Sequence, residues 1–161
     1  HRLLVDLLAG PWADPDLVVV FVGGAGAADD SVSTVIATRG VGERIVRTGR
    51  VTAADRDGLI ALADALVFPS EYEGFGAPVL EAMALGTPVL CSDRGALPEV
   101  TGDAAVLRSP TVDDWADALA ELVARRDELV ARGRRRAERF TVAASGAALA
   151  TAYRLAAGRE S

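Results

Sequence analysis

The stretch that decides the fold is PSEYEGFGAPVLEAMALGTP, residues 69–88. It follows a short apolar run, Ala65–Phe68, which predicts a strand stopped by Pro69. Gly74 and Gly76 then flank Phe75 in a turn. Pro78 stands in the first turn of a helix, where a missing N–H costs nothing, and Ala77–Leu85 predicts a helix closed by Gly86. The unit is therefore strand, glycine turn, helix. Such a turn presents backbone N–H groups at a helix N-terminus, where the dipole favours an anion and glycine lets a ligand approach the main chain. The expectation is a site for a phosphate-bearing ligand at the carboxyl end of a parallel strand.

Working outward, the same alternation recurs. Leu17–Val22 (LVVVFV) is a continuous β-branched run closed by Gly23-Gly24, which predicts a strand buried on both faces of a parallel sheet. Arg44–Thr48, Pro88–Cys91 and Ala104–Leu107 are further strands. Leu3–Leu8 reads as the end of a helix, and Ser31–Arg39 as a helix ended by Gly40. Thr52 and Thr111 each precede an aspartate by three residues, a capping pattern that opens a helix. The first of these runs to about Ala63. The second should place Trp115, Leu119, Leu122 and Val123 on one face. Glu128–Phe140 and Val142–Ala156 complete the helices. Strands alternating with helices predict an α/β fold with a doubly wound, Rossmann-like parallel sheet, in one domain over residues 1–161 without linker or repeat.

Composition narrows the function. Half of the 161 residues are hydrophobic but only 5% are aromatic, so Ala, Val and Leu must build the core. A net charge of −6 argues against nucleic acid as a partner, because phosphate backbones need a basic face. All 17 basic residues are arginine, so no lysine of this chain can clamp a phosphate. No apolar run approaches the roughly 18 residues of a membrane span. The single cysteine, Cys91, excludes an internal disulfide and fits a reducing, cytoplasmic setting.

Two carboxylates bracket the glycine turn. Glu73 lies in the loop, and Glu81 follows about one turn into the helix with seven residues between them. They cannot share one helix face, but they can grip two parts of an extended ligand. A carboxylate suits sugar hydroxyls, since it can accept two hydrogen bonds from a vicinal diol.

These residues resemble the E-x7-E motif of retaining GT-B glycosyltransferases, glycosyltransferase family 4 in particular. The likeness extends through Pro69-Ser70, Glu73-Gly-Phe-Gly76, Pro78-Val-Leu-Glu-Ala-Met83, Gly86-Thr-Pro-Val89, Gly95-Ala-Leu-Pro-Glu-Val100 and Gly102-Asp-Ala-Ala105, with Gly49-Arg50-Val51 upstream. The resemblance implies the C-terminal, donor-binding half of a GT-B fold, moving a hexose from GDP-mannose or a UDP-hexose to an acceptor. By the same resemblance Glu81 holds the ribose hydroxyls and Glu73 acts at the reacting face of the sugar. Gly74, Phe75, Gly76 and Ala77 offer backbone groups to sugar and phosphate, and Arg50 and Val51 lie against the base. No metal or other cofactor is required.

The resemblance also implies two missing pieces: the N-terminal acceptor-binding domain, and a first strand with an Arg/Lys clamp, so that the isolated chain is expected to be inactive. The alternative is a non-catalytic nucleotide-sugar-binding or scaffold domain that pairs with another subunit.

Three other features have plainer readings. Gly23-Gly-Ala-Gly26 lacks the third glycine of a dinucleotide fingerprint and reads as a turn facing the cleft. Asp14-Pro-Asp16 and Asp55-Arg-Asp57 read as solvated loop or cap charges rather than metal ligands. Arg132, Arg134, Arg135, Arg136 and Arg139 form either a solvated helix face or a peripheral contact with the inner membrane surface.

Overall fold

The computed structural model describes residues 1–24, 26 and 29–158; part of the Gly23–Gly26 turn thus lies outside the described residues. The elements alternate as expected: α1 (Arg2–Ala9), β1 (Val19–Val22), α2 (Asp29–Arg39), β2 (Ile45–Gly49), α3 (Ala53–Leu62), β3 (Leu66–Phe68), α4 (Ala77–Leu85), β4 (Val89–Ser92), α5 (Leu97–Thr101) and β5 (Val106–Arg108). Among the described residues four helices follow: α6 (Val112–Trp115), α7 (Ala118–Ala124), α8 (Arg126–Ala137) and α9 (Val142–Ala156). Both threonine caps form, Thr52 accepting from the Asp55 N–H and Thr111 from the Asp114 N–H, each at 3.1 Å.

Among the described residues the strand ladders are parallel, in two groups ordered β1-β2 and β3-β4-β5, with one isolated antiparallel bridge between Gly23 and Gly49. Among the described residues no ladder joins the groups, which is where the sequence reading leaves a strand out. The three-stranded group is wound on both faces. On one side Leu90 and Val106 pack with Leu4 and Leu7 of α1, Trp115 of α6 and Leu122 of α7. On the other, Val89 and Cys91 pack with Ile60 of α3, Val79 and Met83 of α4 and Leu97 of α5. All four residues of β4 are buried, the signature of a central parallel strand.

The two-stranded group differs from expectation. Val19, Phe21 and Ile45 face α1 and α2, but Val18, Val20, Val22 and Val46 are about half exposed. The run LVVVFV therefore has one buried face, because both neighbouring helices pack on the same side. Val123 is also outside, 64% exposed. The helix breaks between Trp115 and Ala118, which resets the phase on which the expected apolar stripe relied. Helix α5 is not legible in the sequence, being five residues long with Pro98 inside, and α8 starts at Arg126 and stops at Ala137 rather than running from Glu128 to Phe140.

Candidate donor-binding site

The site grows from the end of β3. Gly76 adopts φ +86 as the N-cap of α4 without any side-chain cap, and Pro78 occupies the first turn. The helix thus opens on bare backbone, the arrangement that suits an anion. The loop ahead of it is fastened from a second element. The Glu73 carbonyl accepts from the Ala96 N–H at 3.0 Å, and Gly95, at φ +57, lies so close that a Cβ there would sit 2.3 Å from that carbonyl oxygen. A Cβ on Gly76 would meet Leu97 at 2.6 Å. Ser92 at the end of β4 donates to the Ser70 carbonyl. The 95–97 segment therefore holds the Glu73 loop against the rigid end of β4.

Glu73, Gly74, Phe75, Gly76 and Ala77 lie together on this loop, with Glu81 one turn into α4. Glu73 turns back on its own turn: its Oε1 accepts from the Phe75 N–H at a long 3.4 Å. That N–H, expected to face a ligand, is directed at Glu73. The Phe75 ring stands edge-on to Phe140 at 5.9 Å between centroids. Phe75, Ala77, Leu80, Glu81, Ala84, Ala137 and Phe140 line a shallow apolar cleft of about 320 Å³.

Glu81 is split between two environments. Its Oε1 lies 3.2 Å from Nη2 of Arg56 on α3, whereas its Oε2 is buried without a hydrogen-bond partner among the described residues. Arg56 also donates to Asp57 at 3.0 Å, and the Asp57 bond and the Glu81 charge push its guanidinium above the ordinary value. In the sequence these residues read only as cap charges. Contact with Glu81 crosses 25 positions and two helices, so no local signal announces it.

Arg50 and Val51 follow β2 on the other group of strands. Gly49 turns at φ +67, its carbonyl accepts from the Gly23 N–H at 3.1 Å, and the Arg50 side chain lies over Gly24, whose Cβ would be 3.0 Å from Nε. Val51 leads directly into the Thr52 cap of α3, which carries Arg56 to Glu81. The Arg50 segment and the Glu81 carboxylate are thus linked through α3.

In the arginine cluster along and just beyond α8, Arg132 and Arg136 are engaged within the fold, whereas Arg134, Arg135 and Arg139 are exposed. Arg132 pairs with Asp103 at 2.9 Å and Glu128 at 2.8 Å. Arg136 donates to the carbonyls of Val100 and Glu99 and lies over the Phe140 ring. Arg134 covers Gly86 at the end of α4. Among the described residues no group of three or more His, Cys, Asp or Glu could hold a metal ion, and no helix is long and apolar enough to cross a membrane. Burial pushes the Cys91 thiol up to about 12.

Comparison with known proteins bears on the family and the fold. O-antigen chain mannosyltransferase B of Escherichia coli is 44% identical over 91 residues, which are 56% of this chain and 24% of that protein. Sucrose-phosphate synthase from Thermosynechococcus elongatus superposes with a TM-score of 0.82 at 26% identity, over 99% of this chain and 42% of that one. HepE from Anabaena, solved in complex with UDP and glucose, superposes at 0.82 with 23% identity, over 95% of this chain and 44% of that one. The chain spans about a quarter of the length of the curated relatives it matches. Its α/β fold with parallel strands is that of the Rossmann-like, C-terminal half of GT-B glycosyltransferases. Residues 1–140 match the glycosyl transferases group 1 family, and the chain belongs to it.

Proposed function

We propose that this chain is the donor-binding domain of a retaining, metal-independent hexosyltransferase acting in the cytoplasm on GDP-mannose or a UDP-hexose. The observation that carries the reading is the buried, unpartnered Oε2 of Glu81. A buried acceptor without a donor costs on the order of 1–3 kcal/mol, which a ligand hydroxyl would offset. Glu81 then accepts from the ribose hydroxyls. The N-terminus of α4 receives the distal phosphate, with the backbone of Gly74, Gly76 and Ala77 close to sugar and phosphate. Arg50 and Val51 lie against the base. Glu73 acts at the reacting face of the sugar, once it gives up its weak contact with the Phe75 N–H.

The leaving diphosphate takes the acceptor's proton, and its developing charge is met by the helix N-terminus and by cationic side chains. The mannosyltransferase relative and the UDP-bound HepE support a nucleotide-sugar donor. The acceptor is held by a second, N-terminal half, and these 161 residues alone do not transfer sugar. Calorimetry with GDP, UDP and their sugars tests the reading. Binding of one nucleotide series that Glu81→Ala abolishes is the expected result. No binding to any of them by the full-length protein would leave a scaffold role in its place.

A further inference from the structure

We infer that Arg56 is a positioning residue for Glu81, fixing that carboxylate so that Oε2 alone is offered to the ligand; the inference rests on the donor-site reading above. The geometry is a two-carboxylate clamp. Nη2 of Arg56 reaches Asp57 Oδ1 at 3.0 Å and Glu81 Oε1 at 3.2 Å, and Nε adds a second bond to Asp57 at 3.2 Å. Asp57, adjacent on the same helix, thereby sets the plane of the guanidinium. The contact with Glu81 is an ion pair, whereas Asp57 takes the hydrogen bonds, so the two bonds to Asp57 fix where the rigid guanidinium stands and its charge holds Oε1 from that place.

The base of the clamp is itself rigid. The Thr52 cap anchors the first turn of α3, and the buried Thr87 hydroxyl, just past α4, donates to the Ile60 carbonyl of α3 at 2.7 Å. The two helices that carry Arg56 and Glu81 therefore cannot slide against one another without breaking that bond.

Stability is not an adequate reason for the contact. Arg56 and Glu81 are 40% and 36% exposed at their side chains, and half-exposed ion pairs of this kind contribute little to folding. What the contact does supply is an order that a glutamate lacks by itself. A free Glu81 would rotate about its side-chain bonds and turn Oε2 to water. With Oε1 held, Oε2 stays buried and unsatisfied, ready for a donor that arrives with a ligand. Removing Arg56 would also leave Asp57 and Glu81 without the cation between them, and their repulsion would drive the Glu81 carboxylate away from its place.

The experiment compares GDP and UDP with their 2′,3′-dideoxy analogues on the full-length protein, by calorimetry, for wild type, Arg56→Met, Arg56→Lys and Glu81→Ala. Arg56→Met keeps the length and apolar stem of the side chain, and its melting temperature is read beside wild type to confirm folding. The expected result is about tenfold weaker binding of the ribonucleotide by Arg56→Met, the size of one lost bond to a charged group, with the dideoxy analogue unchanged. Arg56→Lys, a point charge without the fork, recovers part of the loss. Equal weakening of both analogues, or wild-type discrimination between them in Arg56→Met, overturns the inference even where Glu81→Ala removes that discrimination and so upholds the donor site. Failure of wild type to bind either nucleotide overturns the donor site and this inference together.

Discussion

Replacing Gly95 by alanine tests the way the Glu73 loop is held. The added Cβ would sit 2.3 Å from the Glu73 carbonyl oxygen and 3.0 Å from its nitrogen. That is about 1 Å inside an ordinary non-bonded contact. The obstacle is backbone, so no side-chain rotation relieves it. Alanine at φ +57 carries a further penalty of about 1–2 kcal/mol for the left-handed conformation. If the loop yields, the 3.0 Å bond from Ala96 to Glu73 is lost, at about 0.5–1.5 kcal/mol. Together these disfavour the native loop by roughly 2–3 kcal/mol.

The Glu73 loop is on the surface, whereas Leu97 and β4 are in the core. The loop is therefore the part that moves, carrying Glu73 by about 1 Å. On the function proposed above Glu73 acts at the reacting sugar, where displacements of that size cost on the order of a hundredfold in rate. The assay is kcat/KM for sugar transfer by the full-length enzyme, measured with thermal melting. We expect a loss of about a hundredfold, with Tm lower by only a few degrees. Gly74→Ala is the control for stability: nothing lies within 4 Å of its Cβ position and its φ is not positive, so its Tm should match wild type. A Gly95→Ala enzyme within twofold of wild type would refute the reasoning, because it would show that the 95–97 segment does not place Glu73.

Three further outcomes follow. Trp115→Ala removes a fully buried indole from the cluster shared by α1, β4, β5 and α7, and should lower stability by about 3–5 kcal/mol in denaturant titration; a loss below about 1 kcal/mol would count against that packing. Thr52→Ala removes the acceptor of the Asp55 N–H and should cost about 1 kcal/mol, read as a shift in urea midpoint without a change in slope. Cys91, with its thiol pushed up to about 12, is almost wholly protonated at pH 8, so a thiol reagent should label it only after unfolding. The sign is that of an acid harder to ionise when folded. Its contribution is intact below pH 9 and lost as pH rises from 9 towards 12, so rapid labelling of the folded protein at pH 8 would contradict its burial.

Much of the fold could be read from the sequence because its signals are local. Capping threonines, closing glycines such as Gly86, and the Ala65–Phe68 run each act within a few residues. What escaped was set by distance. Whether Val18, Val20 and Val22 are covered depends on which side α2 packs, and a continuous apolar run carries no information about that. Helix α5 is too short, with Pro98 inside, to show a period. Within the site, the glutamates and the glycine turn were legible as a string. The grip of Gly95 on Glu73 and of Arg56 on Glu81 was not, because each joins residues more than 20 positions apart.

The uncovered valine face of β1 and β2 has a bearing on how the polypeptide behaves in solution. In these 161 residues taken by themselves, an apolar area around the paired Val20 and Val46 is kept from its copies by a net charge of −6. That repulsion shrinks as ions screen it, to a range of about 8 Å near physiological salt. Light scattering should therefore rise with sodium chloride while the melting temperature hardly changes, making colloidal stability and conformational stability separately adjustable. An acidic replacement at Val20 or Val46, both outside the core, should suppress the scattering and leave the fold intact.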